Sequence, residues 1–374
     1  MRKTCVPVIL IVLYWAATVP GRAQLSLSGQ AAVHVYKSAL TESPRAVGDG
    51  RPTFGWQTHL FLDAAVSEDI SAMGNIRVGD DGVINIDDLV IRLTNLTPLH
   101  VNIQAGKFDL PFGNLADRRF PRRNPLFSLP LIYGYRTALP DHVPSVAEIR
   151  SNQGLGRGMR LLDGGMYDVG AMVYGSLDIV DYALSVTNET ISTTSYGAGN
   201  SNNNLGAIAR IAITPLTGAT IGAAYSWGSY MQEYYPSTAR NVNVNDFKQR
   251  AAEIDLSFSR GHGVLYGEAV YSVFPVPLET GDENFGVLGY SLEGKYTFLP
   301  RFYAALRVSG MEFAEVQLGP VRQPWDYAVT EWEGGIGYFI DRDVLLKLVR
   351  RESRIHGGTM PKDNLTVIQL VVAY

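Results

Sequence analysis

The sequence predicts an all-β fold: a transmembrane antiparallel β-barrel of about 16 strands, with a long inward-folding loop after strand 5. Three observations predict it. Segments of about ten residues alternate apolar and polar side chains from residue 25 to the C-terminus. An export signal precedes them. No later stretch approaches the ~20 consecutive apolar residues that a spanning helix needs. At 46% apolar and 18% charged residues, the chain is too polar for a helical membrane bundle and too apolar for a disordered one. Its 38 glycines, and 20 tyrosines against 14 phenylalanines, suit a large β-structure.

The N-terminus sets the compartment. Arg2 and Lys3 are followed by 15 uncharged positions, residues 5–19, and then by the breaker Pro20-Gly21. Gly21 and Ala23 supply small residues at positions −3 and −1 of a cleavage site, so residues 1–23 read as a signal peptide and 24–374 as the mature chain. A retained anchor would need a longer apolar run. Cleavage removes three of the 32 basic residues and none of the 36 acidic ones, leaving a net charge of −7. It also removes Cys5, the only cysteine, and with it any disulfide or thiolate site. An exported chain without disulfides needs another device, and a closed sheet with both edges of every strand paired is one.

The strand cores fall in order at 25–36, 55–66, 72–79, 84–94, 100–108, 165–175, 180–188, 205–214, 219–229, 250–259, 264–274, 286–298, 302–312, 330–340, 344–352 and 364–374. In the tenth, Ala252, Ile254, Leu256 and Phe258 oppose Glu253, Asp255, Ser257 and Ser259. In the twelfth, Tyr290, Leu292, Gly294, Tyr296 and Phe298 oppose Ser291, Glu293, Lys295 and Thr297. Side chains on a strand point to opposite faces at period two, so each segment has one apolar and one polar face. A soluble antiparallel sheet alternates too. Strand lengths near those that cross a tilted bilayer, and aromatics near the ends of the apolar faces (Tyr296, Phe298, Trp332, Tyr338), favour the membrane.

Short connections alternate with mostly longer polar ones at 189–203, 231–248, 275–285, 313–329 and 354–363, the rhythm of outer-membrane barrels. Asp80-Asp81-Gly82 reads as a tight hairpin turn. An even strand count returns the C-terminus to the side on which the chain entered, although 14 or 18 strands would do so as well. The same alternation turns Arg77, Asp88, Arg92, Glu253, Asp255, Glu293, Lys295, Arg307, Glu331, Glu333 and Lys347 inward. Charges of both signs are costly when buried dry and inexpensive in a water-filled lumen.

Thr366, Ile368, Leu370, Val372 and Tyr374 alternate back from a terminal aromatic. This resembles the C-terminal strand by which the barrel-assembly machinery recognises bacterial outer-membrane proteins, with Tyr374 standing where Phe is usual.

Residues 109–164 are unlike the other connections. They carry six prolines together with Phe112, Phe120, Phe127, Tyr133 and Tyr135, too many aromatics for a solvated loop. The segment is expected to pack in the barrel interior as a constriction or plug. Over 107–160, nine basic residues face four acidic ones. Arg118, Arg119, Arg122, Arg123 and Arg136 in a constriction would draw anions, because low-dielectric walls focus their field and guanidinium donors suit carboxylate and phosphate oxygens. Alternatively, Asp109, Asp117 and Asp141 neutralise part of the cluster, and the arginines pin the loop to an acidic wall.

Gly106-Lys107-Phe108-Asp109-Leu110-Pro111-Phe112-Gly113 resembles the strand-to-loop motif of the phosphate-selective (O/P-type) porins and related outer-membrane porins. Asp181-Tyr182-Ala183-Leu184-Ser185-Val186-Thr187-Asn188 resembles the strand that follows it in that family. The resemblance implies a bacterial outer-membrane porin, a homotrimer embedded in outer-membrane lipid, passing small hydrophilic solutes. Residues 117–135 depart from the family pattern, so the resemblance carries "porin" and not phosphate specificity.

The six histidines show no metal-ligand spacing, and no G-x-S-x-G, Walker or H-E-x-x-H motif appears; neither cofactor nor metal nor catalytic residue is expected. An exported acidic chain is a poor partner for nucleic acid. The expected function is a passive, water-filled channel with an anion preference. The rivals are a barrel that anchors or sleeves a partner protein, and a soluble exported β-protein.

Overall fold

The computed structural model describes residues 24–38, 50–80, 82–97, 100–193, 202, 204–232, 242–357 and 363–374. The expected signal peptide, 1–23, and Asp81 of the expected turn lie outside the described residues. The strands are β1 (Gln24–Ser38), β2 (Thr53–Ala65), β3 (Ile70–Gly79), β4 (Ile84–Leu93), β5 (Asn102–Asp109), β6 (Tyr167–Leu177), β7 (Val180–Thr187), β8 (Gly206–Leu216) and β9 (Ala219–Ser229). They continue as β10 (Lys248–Arg260), β11 (Gly263–Leu278), β12 (Gly281–Leu299), β13 (Phe302–Phe313), β14 (Glu315–Leu318), β15 (Val321–Pro324), β16 (Ala328–Asp341), β17 (Val344–His356) and β18 (Asp363–Ala373).

Sixteen of these close into one antiparallel barrel, in which each strand pairs with its neighbours in sequence and β13 passes directly to β16. The seam is β1 against β18, in register from Gln30↔Ala373 to Ser38↔Leu365. Tyr374 completes it: its amide donates to the Gly29 carbonyl at 3.0 Å, and the Gly29 amide donates back at 2.9 Å. The Tyr374 ring occupies the space a Cβ on Gly29 would need.

Each of the sixteen expected strands is a barrel strand. Two connections differ from expectation. The stretch 275–285 is largely strand, since the β11–β12 ladder runs out to Leu278↔Gly281. Phe274, Val276, Leu278 and Phe285 there are fully or almost fully buried, so the pairing continues where apolar side chains find a covering layer. The stretch 313–329 contains the β14–β15 hairpin, with Val316, Leu318 and Trp325 buried.

The outward face is apolar around the ring. Leu27, Ile91, Leu184, Ile254, Leu306 and Leu348 are all exposed, a continuous greasy surface that water does not tolerate at this extent. Near the short turns Phe302 stacks on Tyr338 with ring centroids 4.4 Å apart, and on Phe298 at 6.1 Å. Trp56, Trp227, Tyr271 and Trp332 lie on the outer face toward the long connections. Two aromatic girdles flanking an apolar belt are the arrangement of a membrane barrel.

The core lies inside the ring. Between β5 and β6 the chain leaves the wall for an excursion with a 3-10 turn (Ala116–Arg119) and two short helices, α1 (Leu131–Gly134) and α2 (Val146–Asn152). Ser145 caps α2 by accepting a bond from the Glu148 amide at 3.1 Å. Phe112, Leu131, Ile132, Tyr133 and Leu161 of the excursion form one buried cluster with Val270, Phe274, Val287, Met311 and Val329 of the wall. Gly106, just before the excursion, has φ +130°, and a Cβ there would strike the Leu89 carbonyl. Only glycine lets β5 approach β4 at that point.

Candidate functional site in the barrel lumen

Strand alternation brings the inward charges to the wall, and the excursion decides what they meet. Arg118 of the 3-10 turn donates to Glu293 on β12 at 2.9 Å, with its guanidinium 4.1 Å from the Tyr266 ring centroid. Glu293 in turn accepts from Arg307 on β13 at 3.0 Å, and Arg307 also pairs with Glu333 on β16. Glu333 accepts the backbone amides of Phe127 and Ser128 at 3.2 and 2.9 Å, while Arg307 donates to the Ser128 carbonyl at 2.8 Å. Lys347 on β17 gives its ammonium to three excursion carbonyls: Pro121 at 3.0 Å, Asn124 at 3.2 Å and Leu126 at 2.8 Å. Arg351 bonds Ser128 Oγ and Asp363, each at 2.9 Å, and lies 3.6 Å from Glu331.

The expectation of a water-filled setting for these charges therefore needs correction on this side of the barrel. Glu293, Arg307, Glu331, Glu333 and Lys347 are each no more than 3% exposed. They tolerate burial because each charge meets an opposite charge or a row of backbone dipoles.

The other wall differs. Arg77 on β3 pairs with Asp87 on β4 at 2.8 Å and keeps a third of its side chain exposed. Arg92 donates to Gln104 at 3.0 Å, and Arg92 and Asp88 are half-buried. Between the two walls, Glu253 and Asp255 on β10 are buried beside Arg210 of β8, at 3.3 and 2.6 Å.

The five arginines separate. Arg118 is buried on Glu293, and Arg119 bonds Asp109 at 2.5 Å and sits over the Tyr167 ring at 4.5 Å, so these two hold the excursion to the wall. Arg122 is half-buried; its amide donates to Gln30 Oε1 at 2.9 Å, and its guanidinium bonds the Arg342 carbonyl 5.0 Å from the Phe339 ring centroid. Arg123 and Arg136 are exposed, and Arg136 donates to the Gly158 carbonyl at 3.1 Å. Lys295 lies half-buried 4.5 Å over the Tyr303 ring, within reach of the Arg122 charge.

Several anchors escape sequence reasoning. Tyr133 donates to Glu268 Oε1 at 2.5 Å; burial, together with that carboxylate, pushes its phenol well above its ordinary pKa. Asp326, between β15 and β16, accepts the amides of Gly154 and Tyr327 at 2.8 Å and of Ala138 at 2.9 Å. Burial pushes its carboxyl up to about 7 against the pull of these amides. Glu268 is hidden in an inward row of apolar neighbours such as Val270 and Phe274, and nothing local marks Asp326.

No sequence family matches the chain, and no curated protein does. Solved structures do. An anion-selective porin from Comamonas acidovorans superposes with a TM-score of 0.62 at 10% identity, covering 94% of this chain and 100% of that one. The fold is that of the outer-membrane porins. Salmonella typhi OmpF, in complex with daunomycin, gives a TM-score of 0.61 at 12% identity over 94% of this chain and 98% of that one. The outer membrane channel DcaP of Acinetobacter baumannii gives 0.60 at 10% identity over 94% and 97%.

Proposed function

We propose that this protein is an outer-membrane porin, exported through a cleaved signal peptide, that passes small hydrophilic solutes without catalysis and favours anions. One observation carries the reading: a closed 16-strand ring, apolar outside, with charged side chains of both signs turned inward. The anion preference rests on Arg122 and Lys295 more than on Arg118 and Arg119, whose charges are matched by Glu293 and Asp109. Lys295 makes no ion pair or hydrogen bond among the described residues, so beside Arg122 it leaves net positive charge on the lumen side of Tyr303 and Phe339. The fold neighbours support a homotrimer, since one of them, OmpT of Vibrio cholerae, is described in a trimer form.

Purified protein in planar bilayers is expected to give stepwise conductance, with a reversal potential of anion-selective sign under a salt gradient. The double variant Arg122→Glu, Lys295→Glu is expected to move that potential toward cations. An unmoved potential removes the anion assignment, and no conductance at all removes the channel. A second reading draws on the excursion, whose packing against β10–β13 and β16–β17 also suits a plugged sleeve or anchor for a partner protein. That reading expects a stoichiometric co-purifying partner and little conductance.

A further inference from the structure

The lipid-facing side of β16, β17, β18 and β1 changes character abruptly along its length. Cross-strand rows make the boundary visible. One row reads Ile336–Leu348–Ile368–Val35, all apolar. The row before it, toward the short turns, reads Tyr338–Leu346–Leu370–Val33. The next row toward the long connections reads Gly334–Arg350–Thr366–Lys37. Beyond it β17 continues outward with Glu352, Arg354 and His356, while its alternate residues Val349, Arg351, Ser353 and Ile355 are buried inside.

These outward cations are exposed, and they are incompletely matched. Arg350 donates to Thr366 Oγ1 at 2.8 Å and lies 3.4 Å from Glu352. Lys37 and Arg354 make no hydrogen bond or ion pair among the described residues. A cation on a lipid-facing wall is disfavoured at the bilayer midplane and tolerated near the interface. The patch therefore lies at headgroup level, on the side of the long connections. Lys37 and Arg350 are two strands apart in one row, roughly 10 Å, and Arg354 is four residues further along, roughly 13 Å. Three cations at that spacing sit directly above an apolar stripe.

We propose that Lys37, Arg350 and Arg354, with Thr366, form an outer-wall docking site for the phosphate groups of a lipid headgroup, whose acyl chains lie along Leu346, Leu348, Ile368 and Leu370. Guanidinium forks suit phosphate oxygens, and anionic headgroups draw lysine and arginine at the membrane surface. Charge complementarity selects the occupant. A second copy of this chain would have to bring an acidic strip to the patch, whereas a phosphorylated amphiphile matches both halves of it. The proposal rests on the membrane reading above, and its test reads lipid rather than current.

Folded protein in neutral detergent is titrated with mixed micelles holding a bis-phosphorylated glycolipid, phosphatidylglycerol or phosphatidylcholine, and retained lipid is measured after gel filtration. The wild type is expected to retain the two anionic lipids and not phosphatidylcholine. The triple variant K37Q/R350Q/R354Q is expected to bind them roughly a hundredfold more weakly, at about fivefold per cation. Its unchanged resistance to unfolding in a gel without boiling shows that the barrel is intact, because all three side chains point away from the lumen. Equal retention by wild type and variant overturns the proposal. So does displacement of the lipid by millimolar inorganic phosphate, which marks a free-anion site. A change of oligomeric state in the variant with unchanged lipid retention assigns the patch to a copy-to-copy interface instead. Conductance, read separately, decides the channel without bearing on the lipid.

Discussion

Two walls of the same barrel carry inward charge by the same alternation, and they live in different solvents. On β12, β13, β16 and β17 the excursion covers the wall; Arg307 is 1% exposed and shared between Glu293 and Glu333. On β3, Arg77 keeps 33% of its side chain exposed beside Asp87. Strand position sets which way a charge points, and a distant loop sets what pointing there costs. Arg307→Ala takes one partner from each of two buried carboxylates and is expected to cost about 3–5 kcal/mol. Arg77→Ala removes a partly solvated pair and is expected to cost about 0–1 kcal/mol. Denaturant titration of the folded barrel, followed by the gel shift between folded and unfolded forms, checks both; equal costs would mean that the covered wall is wet.

A second substitution asks whether the excursion is held by the wall or merely lies on it. Lys347 satisfies the carbonyls of Pro121, Asn124 and Leu126. Lys347→Met keeps most of the volume, removes a buried charge and leaves those acceptors without a donor. Each buried acceptor left unpaired costs about 1–3 kcal/mol, partly offset by the lost ammonium. We expect residues 121–126 to become protease-sensitive while the barrel remains closed. Arg92→Met on β4, where the side chain bonds Gln104 and no excursion residue, should leave the cleavage pattern as it is. Resistance in Lys347→Met would show that the apolar cluster around Ile132 and Leu161 holds the segment by itself.

The same contrast explains what could be read from the chain. Every barrel strand was legible, because period-two alternation is local and the outer surface faces one uniform solvent. The limits of β11 and β12 were not, because Val276 and Leu278 extend the ladder only where a covering layer exists. The arginines of the excursion were visible as a charge excess, yet their separation into matched (Arg118, Arg119) and unmatched (Arg122) depended on partners such as Glu293, 175 residues away in sequence. The register of Tyr374 against β1 could be read because alternation along the last strand is a local pattern. Asp326 gave no signal, since its three amide donors come from two segments brought together only by the fold.

Asp326 supplies an effect of another kind, because it lies at neither wall. It ties the excursion to the segment between β15 and β16 through the amides of Ala138 and Gly154. Those amides favour the charged carboxylate, but burial outweighs them and raises the folded pKa from the ordinary 3.8 to about 7. The folded state thus binds the proton more tightly than the unfolded one. The stabilisation linked to that proton is full below about pH 4 and is lost as pH rises through about 7. Hydrogen exchange at the Ala138 and Gly154 amides, corrected for intrinsic rates, should show protection falling across this window. Asp326→Asn should flatten the dependence. Protection that is flat in the unmodified protein, or that rises with pH, would mean that the three amides outweigh burial and that this junction holds its carboxylate charged throughout.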